Sequence, residues 1–365
     1  MGNRPGRQGL RDDLFKGHLK RHFKHTDQKT LEVLSSEDKT WALTQHDANL
    51  FTFKSEKFPC GHHEVEESCD GESDLLRRKA ACTKNPGHAH FIPVASFTIH
   101  HLPEPYRTDE VHELILLQAA LTVKVTVTCT SPHRPEFYAE SEAPFPFFGR
   151  SRDTLTRTGT GFVRSLALFN ENECVPLSSS EYLSSSTQWQ VVGVIEIQTS
   201  SHVVYDDVEV KQTTCALGYD AEDGSGVDIG GFEYKRGMWV DESNMVGVVD
   251  DLGVAIKLAK NVERYRELCE NLRQVYGSSD ADNRLAVMAS HPHGCCKLIS
   301  IGELTRETLL YRTESVAMYN YTVHTCPGCS GAYVYIMGNS HSGLNQRHMG
   351  VNAHGNHSGE GLRKR

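Results

Sequence analysis

His324-Thr325-Cys326-Pro327-Gly328-Cys329-Ser330-Gly331-Ala332-Tyr333-Val334 sets a serine among small residues and runs directly into an apolar, strand-like stretch that ends at Met337. A nucleophilic hydroxyl needs that setting. Small neighbours let a carbonyl approach Oγ, while backbone N–H groups of the same turn point at the oxyanion that develops. Gly328 and Ser330 are the residues whose amides would be the donors. The tetrad Gly328-Cys329-Ser330-Gly331 is short, and an ordinary turn before a strand reads the same way, so the motif needs partners elsewhere.

Upstream, the β-rich run Gly193 to Gln198 ends in a polar bend, Thr199-Ser200-Ser201-His202. Between the two lies Val246-Gly247-Val248-Val249-Asp250-Asp251-Leu252-Gly253-Val254-Ala255-Ile256, an apolar segment interrupted by two carboxylates. The order is histidine, aspartate, serine. Hydrolases with a nucleophile elbow run serine, aspartate, histidine, so this order points to a different architecture.

Four stretches together resemble the chymotrypsin-like (trypsin-like) serine peptidases. Thr199-Ser200-Ser201-His202 is similar to their Thr-Ala-Ala-His, and Asp251-Leu252-Gly253-Val254-Ala255 to their Asp-Ile/Leu-Ala-Leu-Leu. Cys326-Pro327-Gly328-Cys329-Ser330-Gly331-Ala332 is similar to their Cys-x-Gly-Asp-Ser-Gly-Gly, and Gly159-Thr160-Gly161-Phe162-Val163 to the Gly-x-Gly-Phe strand of the first barrel. The separations, 49 residues from His202 to Asp251 and 79 from Asp251 to Ser330, suit such a fold. Two departures stand out. Cys329 replaces the aspartate that receives a freed N-terminal amine in secreted zymogens, which places the pattern nearer the intracellular, bacterial and viral branches. Ala332 replaces the second glycine.

The resemblance implies roles. Ser330 would be the nucleophile and His202, with an ordinary pKa near 6.5, the base that takes its proton and returns it to the leaving amine. Asp251 would fix the imidazole tautomer, with Asp250 as its competitor. Gly328 and Ser330 would form the oxyanion hole. A histidine in Asn339-Ser340-His341-Ser342-Gly343 resembles the P1-recognising histidine of glutamyl endopeptidases, which makes His341 a candidate substrate-binding residue. A competing reading of Cys326-Pro327-Gly328-Cys329 is a redox pair, but such pairs open a helix, and the run from Tyr333 to Met337 reads as strand.

The composition fits a globular chain: 365 residues, 38% hydrophobic and 23% charged, with net charge −9, which carries no overall basic signal for nucleic acid. The eleven cysteines are odd in number and unevenly spaced, unlike a disulfide framework, and the opening Met1-Gly2-Asn3-Arg4 has no apolar signal segment. Both observations lead to the expectation of a cytoplasmic protein without a membrane contact. Cys60, His62, His63, Cys69, Cys82, His88 and His90 are zinc-ligand residue types, yet their spacing is not that of a zinc finger, so no metal and no cofactor is assigned.

The expected architecture is mainly β: a chymotrypsin-like double antiparallel β-barrel behind an N-terminal α/β extension. Residues 1–53 form a basic segment, 54–150 a Cys/His-containing α/β region, 151–343 the double barrel, and 344–365 a mobile Gly/His-rich tail. Thr108 to Ala120 reads as a helix with Asp109 and Glu110 in its first turn, Val123 to Thr128, Val208 to Leu217, Met245 to Ile256 and Leu285 to Ser290 as strands, and Leu258 to Val275 as an amphipathic helix joining the barrels. The function expected is that of a serine endopeptidase acting on a protein or peptide. A catalytically inactive descendant serving as a protein-interaction module is the alternative, and oligomeric state stays open.

Overall fold

Val123, Val125 and Val127 alternate with Lys124 and Thr126, and in the structure these three valines are buried in a strand. The structure is a computed structural model that describes residues 62–69, 71–138, 143–170, 176–177, 191–222, 226–236, 241–277, 284–309, 316–339, 346–359 and 361–362. In chain order the strands begin β1 (His62–His63), β2 (Glu66–Ser68), β3 (Phe91–Pro93), β4 (Thr122–Val127), β5 (Thr156–Asn170) and β6 (Pro176–Leu177). Next come β7 (Val191–Ser200), β8 (Thr213–Leu217), β9 (Val227–Ile229), β10 (Glu233–Arg236), β11 (Glu242–Val249) and β12 (Leu285–Ser290). The last are β13 (Leu298–Leu309), β14 (Val316–Tyr321), β15 (Val334–Ile336), β16 (His348–Asn352), β17 (Gly355–Ser358) and β18 (Gly361–Leu362). The longer helices are α1 (Glu72–Ala80), α2 (Asp109–Leu121) and α3 (Leu252–Tyr276).

The architecture is mainly β, with an N-terminal α/β part and two large antiparallel sheets. Among the described residues each sheet has nine strands. One runs β10-β11-β7-β5-β4-β8-β9, with β2 and β6 on β5; the other runs β1-β16-β17-β14-β13-β12-β15, with β3 on β13 and β18 on β14. One buried cluster joins Ile195 and Ile197 of the first sheet, Ile115 of α2, Leu258 and Tyr265 of α3, and Val287 and Tyr335 of the second sheet. None of the described helices is long and apolar enough to cross a membrane.

Several expectations change. A boundary at Arg150 does not divide the fold, because β4 lies between β5 and β8, and residues 62–68 give β1 to one sheet and β2 to the other. The segment from 344, expected as a tail, supplies β16 and β17 to the second sheet. The apolar run Met245 to Ile256, read as one strand, is two elements: β11 stops at Val249 and α3 starts at Leu252. A continuous apolar run has no period that separates strand from helix, and the punctuation is Asp251, whose side chain caps the helix. Val208 to Leu217 splits likewise into a helical turn, Asp207–Val210, and β8.

A buried ion cluster fixes the turn after β7. Arg134 Nε and Nη2 donate to the two carboxylate oxygens of Glu209 at 2.7 Å each, and Arg134 Nη1 donates to the carbonyl of His202 at 3.2 Å. Arg157 Nη2 lies 2.9 Å from the same carboxylate, and all three side chains are almost wholly buried. Glu209→Ala leaves two buried guanidinium groups without a counter-charge and is expected to cost about 3–5 kcal/mol. Urea unfolding reads that loss, and a change below about 1 kcal/mol, the size expected of an exposed pair, would contradict it.

Candidate active site

The serine turn is held by close backbone packing. Gly328 has φ +97° and Gly331 φ +88°, and a Cβ would collide with the His291 carbonyl at the first and the Thr160 carbonyl at the second. Only glycine combines that backbone conformation with such close approach. The turn aims two amides at one atom: Gly328 N–H donates to the carbonyl oxygen of Glu64 at 2.7 Å and Ser330 N–H donates to the same oxygen at 3.1 Å. Ser330 Oγ accepts the N–H of Glu64 at 3.0 Å and lies 3.4 Å from the Met349 carbonyl.

His202 follows β7. Its Nδ1–H donates to Asp241 Oδ2 at 2.7 Å, and Asp241 Oδ1 accepts both the His202 N–H at 3.1 Å and the Ser201 hydroxyl at 2.9 Å. Asp241 is 3% exposed, and although burial opposes ionisation, the His202 and His63 imidazoles and Arg347 hold its carboxyl below the usual range. Asp251 therefore does not occupy the position expected of it. It is exposed at the head of α3, where Oδ1 accepts the Val254 N–H at 3.0 Å, and Asp250 beside it is exposed as well. The cause is register: Glu242 of β11 pairs with Ser200 of β7, which carries the preceding residue, Asp241, to the turn that bears His202.

His202 and Ser330 make no hydrogen bond to each other. His202 Nε2 is buried and without a hydrogen-bond partner, and Ser330 Oγ instead accepts the Glu64 N–H. The His63 ring lies against the His202 ring with centroids 4.2 Å apart. Residues 62–63 enter as a strand antiparallel to β16, pairing His62 with Val351 and His63 with Gly350.

The Glu64 carboxylate enters a polar pocket. His348 Nε2–H donates to Glu64 Oε2 at 2.6 Å, and His348 Nδ1 accepts the Tyr321 hydroxyl at 2.7 Å. Lys84 Nζ pairs with Glu64 Oε1 and donates to Thr325 Oγ1 at 2.7 Å and to Asn356 Oδ1 at 3.3 Å. Burial pushes the Glu64 carboxyl up, but His348 and Lys84 outweigh it and hold the group at about 2. His341, the histidine expected to face a P1 side chain, lies outside the described residues; the histidine in contact with the Glu64 carboxylate is His348, the first residue of β16. Asp241, Glu64, Lys84 and His348 were all missed by sequence reasoning.

No protein-family model matches the chain and no curated protein matches it. Solved structures similar to it include the Rv3671c protease from M. tuberculosis in its active form, at 13% identity and a TM-score of 0.35, covering 68% of this chain and 78% of that one. An HtrA-type protease, AlgW with a decapeptide, is similar at 12% identity and 0.34, covering 69% and 62%. Deg5 is similar at 11% and 0.32, covering 64% and 82%.

The buried histidines give the fold a pH dependence. Burial and the nearby His202 imidazole push His63 down to about 3, and burial with His348 pushes His357 down to about 4. The unfolded chain binds these protons at about pH 6.5 and the folded chain does not, so stability is full above that pH and falls as pH drops from 6.5 towards 4, by about 1.4 kcal/mol per unit for each imidazole. Glu64 acts in a lower window, its contribution present above about 4.5 and lost as pH falls towards 2. Urea midpoints are expected to be lower at pH 5 than at pH 7, with a shallower drop in His357→Gln. Equal midpoints at the two pH values would contradict the assignment.

Proposed function

We propose that the protein is a serine endopeptidase that cleaves after glutamate, and that its own Glu64–Val65 bond is a substrate. The observation that carries this reading is the Glu64 carbonyl oxygen, which receives the Gly328 and Ser330 amides while the peptide before it lies antiparallel to β16. Two donors converging on a single carbonyl oxygen next to a serine hydroxyl are the arrangement that acyl transfer requires.

The chemistry follows from the geometry. Ser330 Oγ adds to the Glu64 carbonyl carbon and its proton passes to His202 Nε2, the ring nitrogen left free by the Asp241 hydrogen bond. The tetrahedral oxygen is stabilised by the two amides. Collapse breaks the Glu64–Val65 bond, the proton moves to the Val65 nitrogen, and water then hydrolyses the acyl-enzyme to free the Glu64 carboxylate. Proton transfer requires His202 Nε2 to reach Ser330 Oγ, a contact made as the reaction complex tightens. Asp241 orients the imidazole, while His348 and Lys84 select a P1 carboxylate.

Mass spectrometry of the incubated protein tests this directly. Wild type is expected to yield a fragment beginning at Val65, and Ser330→Ala none. Asp241→Asn is expected to slow the reaction about 10⁴-fold, the cost of the wrong imidazole tautomer, whereas Asp251→Ala leaves it unchanged and lowers stability by about 1 kcal/mol through the lost helix cap. Cleavage at Val65 that persists in Ser330→Ala sinks the proposal, as does a wild type that stays intact and is inert towards glutamyl peptides.

With peptides supplied from outside, P1 glutamate is expected to be preferred, and His348→Ala is expected to reduce kcat/KM for it by about 10- to 100-fold, the loss of one hydrogen bond to a charged group. The pocket cannot be acid-selective if glutamate and leucine peptides react alike.

A further inference from the structure

Away from the serine turn, four side chains from three parts of the chain converge. Cys82 and His88 follow α1, His293 lies in the turn after β12, and Cys326 opens the serine loop; their ligand atoms all lie within 4.8 Å of one another. We propose that Cys82, His88, His293 and Cys326 hold one zinc ion as a closed structural site. This rests on these residues alone and is independent of the peptidase reading.

The distances match those of a tetrahedral ion. Bonds of about 2.3 Å to sulfur and about 2.05 Å to nitrogen, set at the tetrahedral angle, separate two sulfurs by about 3.8 Å and a sulfur from a nitrogen by about 3.6 Å. Cys82 Sγ and Cys326 Sγ are 3.7 Å apart, and Cys326 Sγ and His88 Nε2 are 3.5 Å apart. A disulfide would require about 2.05 Å between the sulfurs.

The surroundings fit the same ion. His293 Nδ1–H donates to Glu66 Oε2 at 2.7 Å, which leaves the opposite nitrogen, Nε2, as a lone pair that is buried and has no hydrogen-bond partner. A carboxylate behind a ligating imidazole is the usual means of fixing its tautomer. The sulfurs receive N–H groups: Asn85 Nδ2 donates to Cys326 Sγ at 3.2 Å and the Asn85 backbone N–H donates to Cys82 Sγ at 3.4 Å, as suits thiolates. Phe91 and Leu298 pack beside Cys326 and limit access of water. Among the described residues, only three non-glycine residues have positive φ, and two are His88 and His293. Each such conformation is strained, and a metal bond offsets that strain.

Two thiolates and two imidazoles in a closed shell favour zinc over the oxygen-seeking cations. The ion would tie residues 82–88 to the base of the serine loop, since Cys326 is two residues before Gly328 and the His293 N–H donates to the Pro327 carbonyl at 2.5 Å. The cysteine and histidine spacings conceal the site because half of its ligands lie more than 200 residues beyond the other half.

Elemental analysis of the untagged protein is expected to find one zinc per chain, falling to none in Cys82→Ser. Replacing zinc with cobalt is expected to give the visible bands of a tetrahedral ion together with sulfur-to-cobalt charge transfer. Chelation of the wild type is expected to lower its thermal midpoint. Zinc that survives Cys82→Ser overturns the proposal, and so does a Cys82–Cys326 disulfide in metal-free protein. Where Cys82→Ser does not fold, the wild-type cobalt spectrum decides, and absence of the charge-transfer band counts against the site.

Discussion

Two backbone N–H groups aimed at the Glu64 carbonyl are the constraint to which the neighbouring structure answers. A peptide carbonyl can accept two such donors only if the turn that bears them is tightly curled, which is why Gly328 and Gly331 adopt backbone conformations that exclude a side chain. The donors in turn fix the strand that carries the acceptor. With its carbonyl anchored, residues 62–63 lie along β16 and the Glu64 side chain is directed between His348 and Lys84. The curled turn, the added strand and the acid pocket are thus one arrangement.

The sequence disclosed some parts of this arrangement and concealed others, and the division follows the range of the forces involved. The serine turn was legible because its requirements are local: glycines, a serine and a following strand lie within eleven residues. The strand β12 was found with its observed ends, Leu285 and Ser290, because it is bounded by polar residues and carries β-favouring side chains. Asp109 and Glu110 in the first turn of an apolar helical face marked α2, and the structure adds Thr108 as its cap.

Asp241 was hidden because nothing local distinguishes it from Asp250 or Asp251. What selects it is the antiparallel register of β11 on β7, a property of two strands separated by about forty residues. The apolar run around Asp251 looked like the family's aspartate motif but is the head of a helix, where an aspartate serves the backbone amides instead. His348 was hidden for a related reason: it meets a carboxylate only when a distant segment delivers Glu64 to it, and Lys84 joins the pair only in the folded chain.

Lys84 also bears on how the protein can be divided. The pocket's ammonium group comes from the stretch before Arg150, as do Glu64, whose carboxylate it meets, and the strand β4 that separates β5 from β8. A chain beginning at residue 151 would retain His202, Asp241 and Ser330 but would expose both flanking strand edges of the first sheet and leave His348 without a neighbouring cation. The N-terminal half is therefore a structural part of the unit that holds the serine turn, and truncation maps that treat it as an appendage would mistake collapse of the scaffold for removal of a regulator.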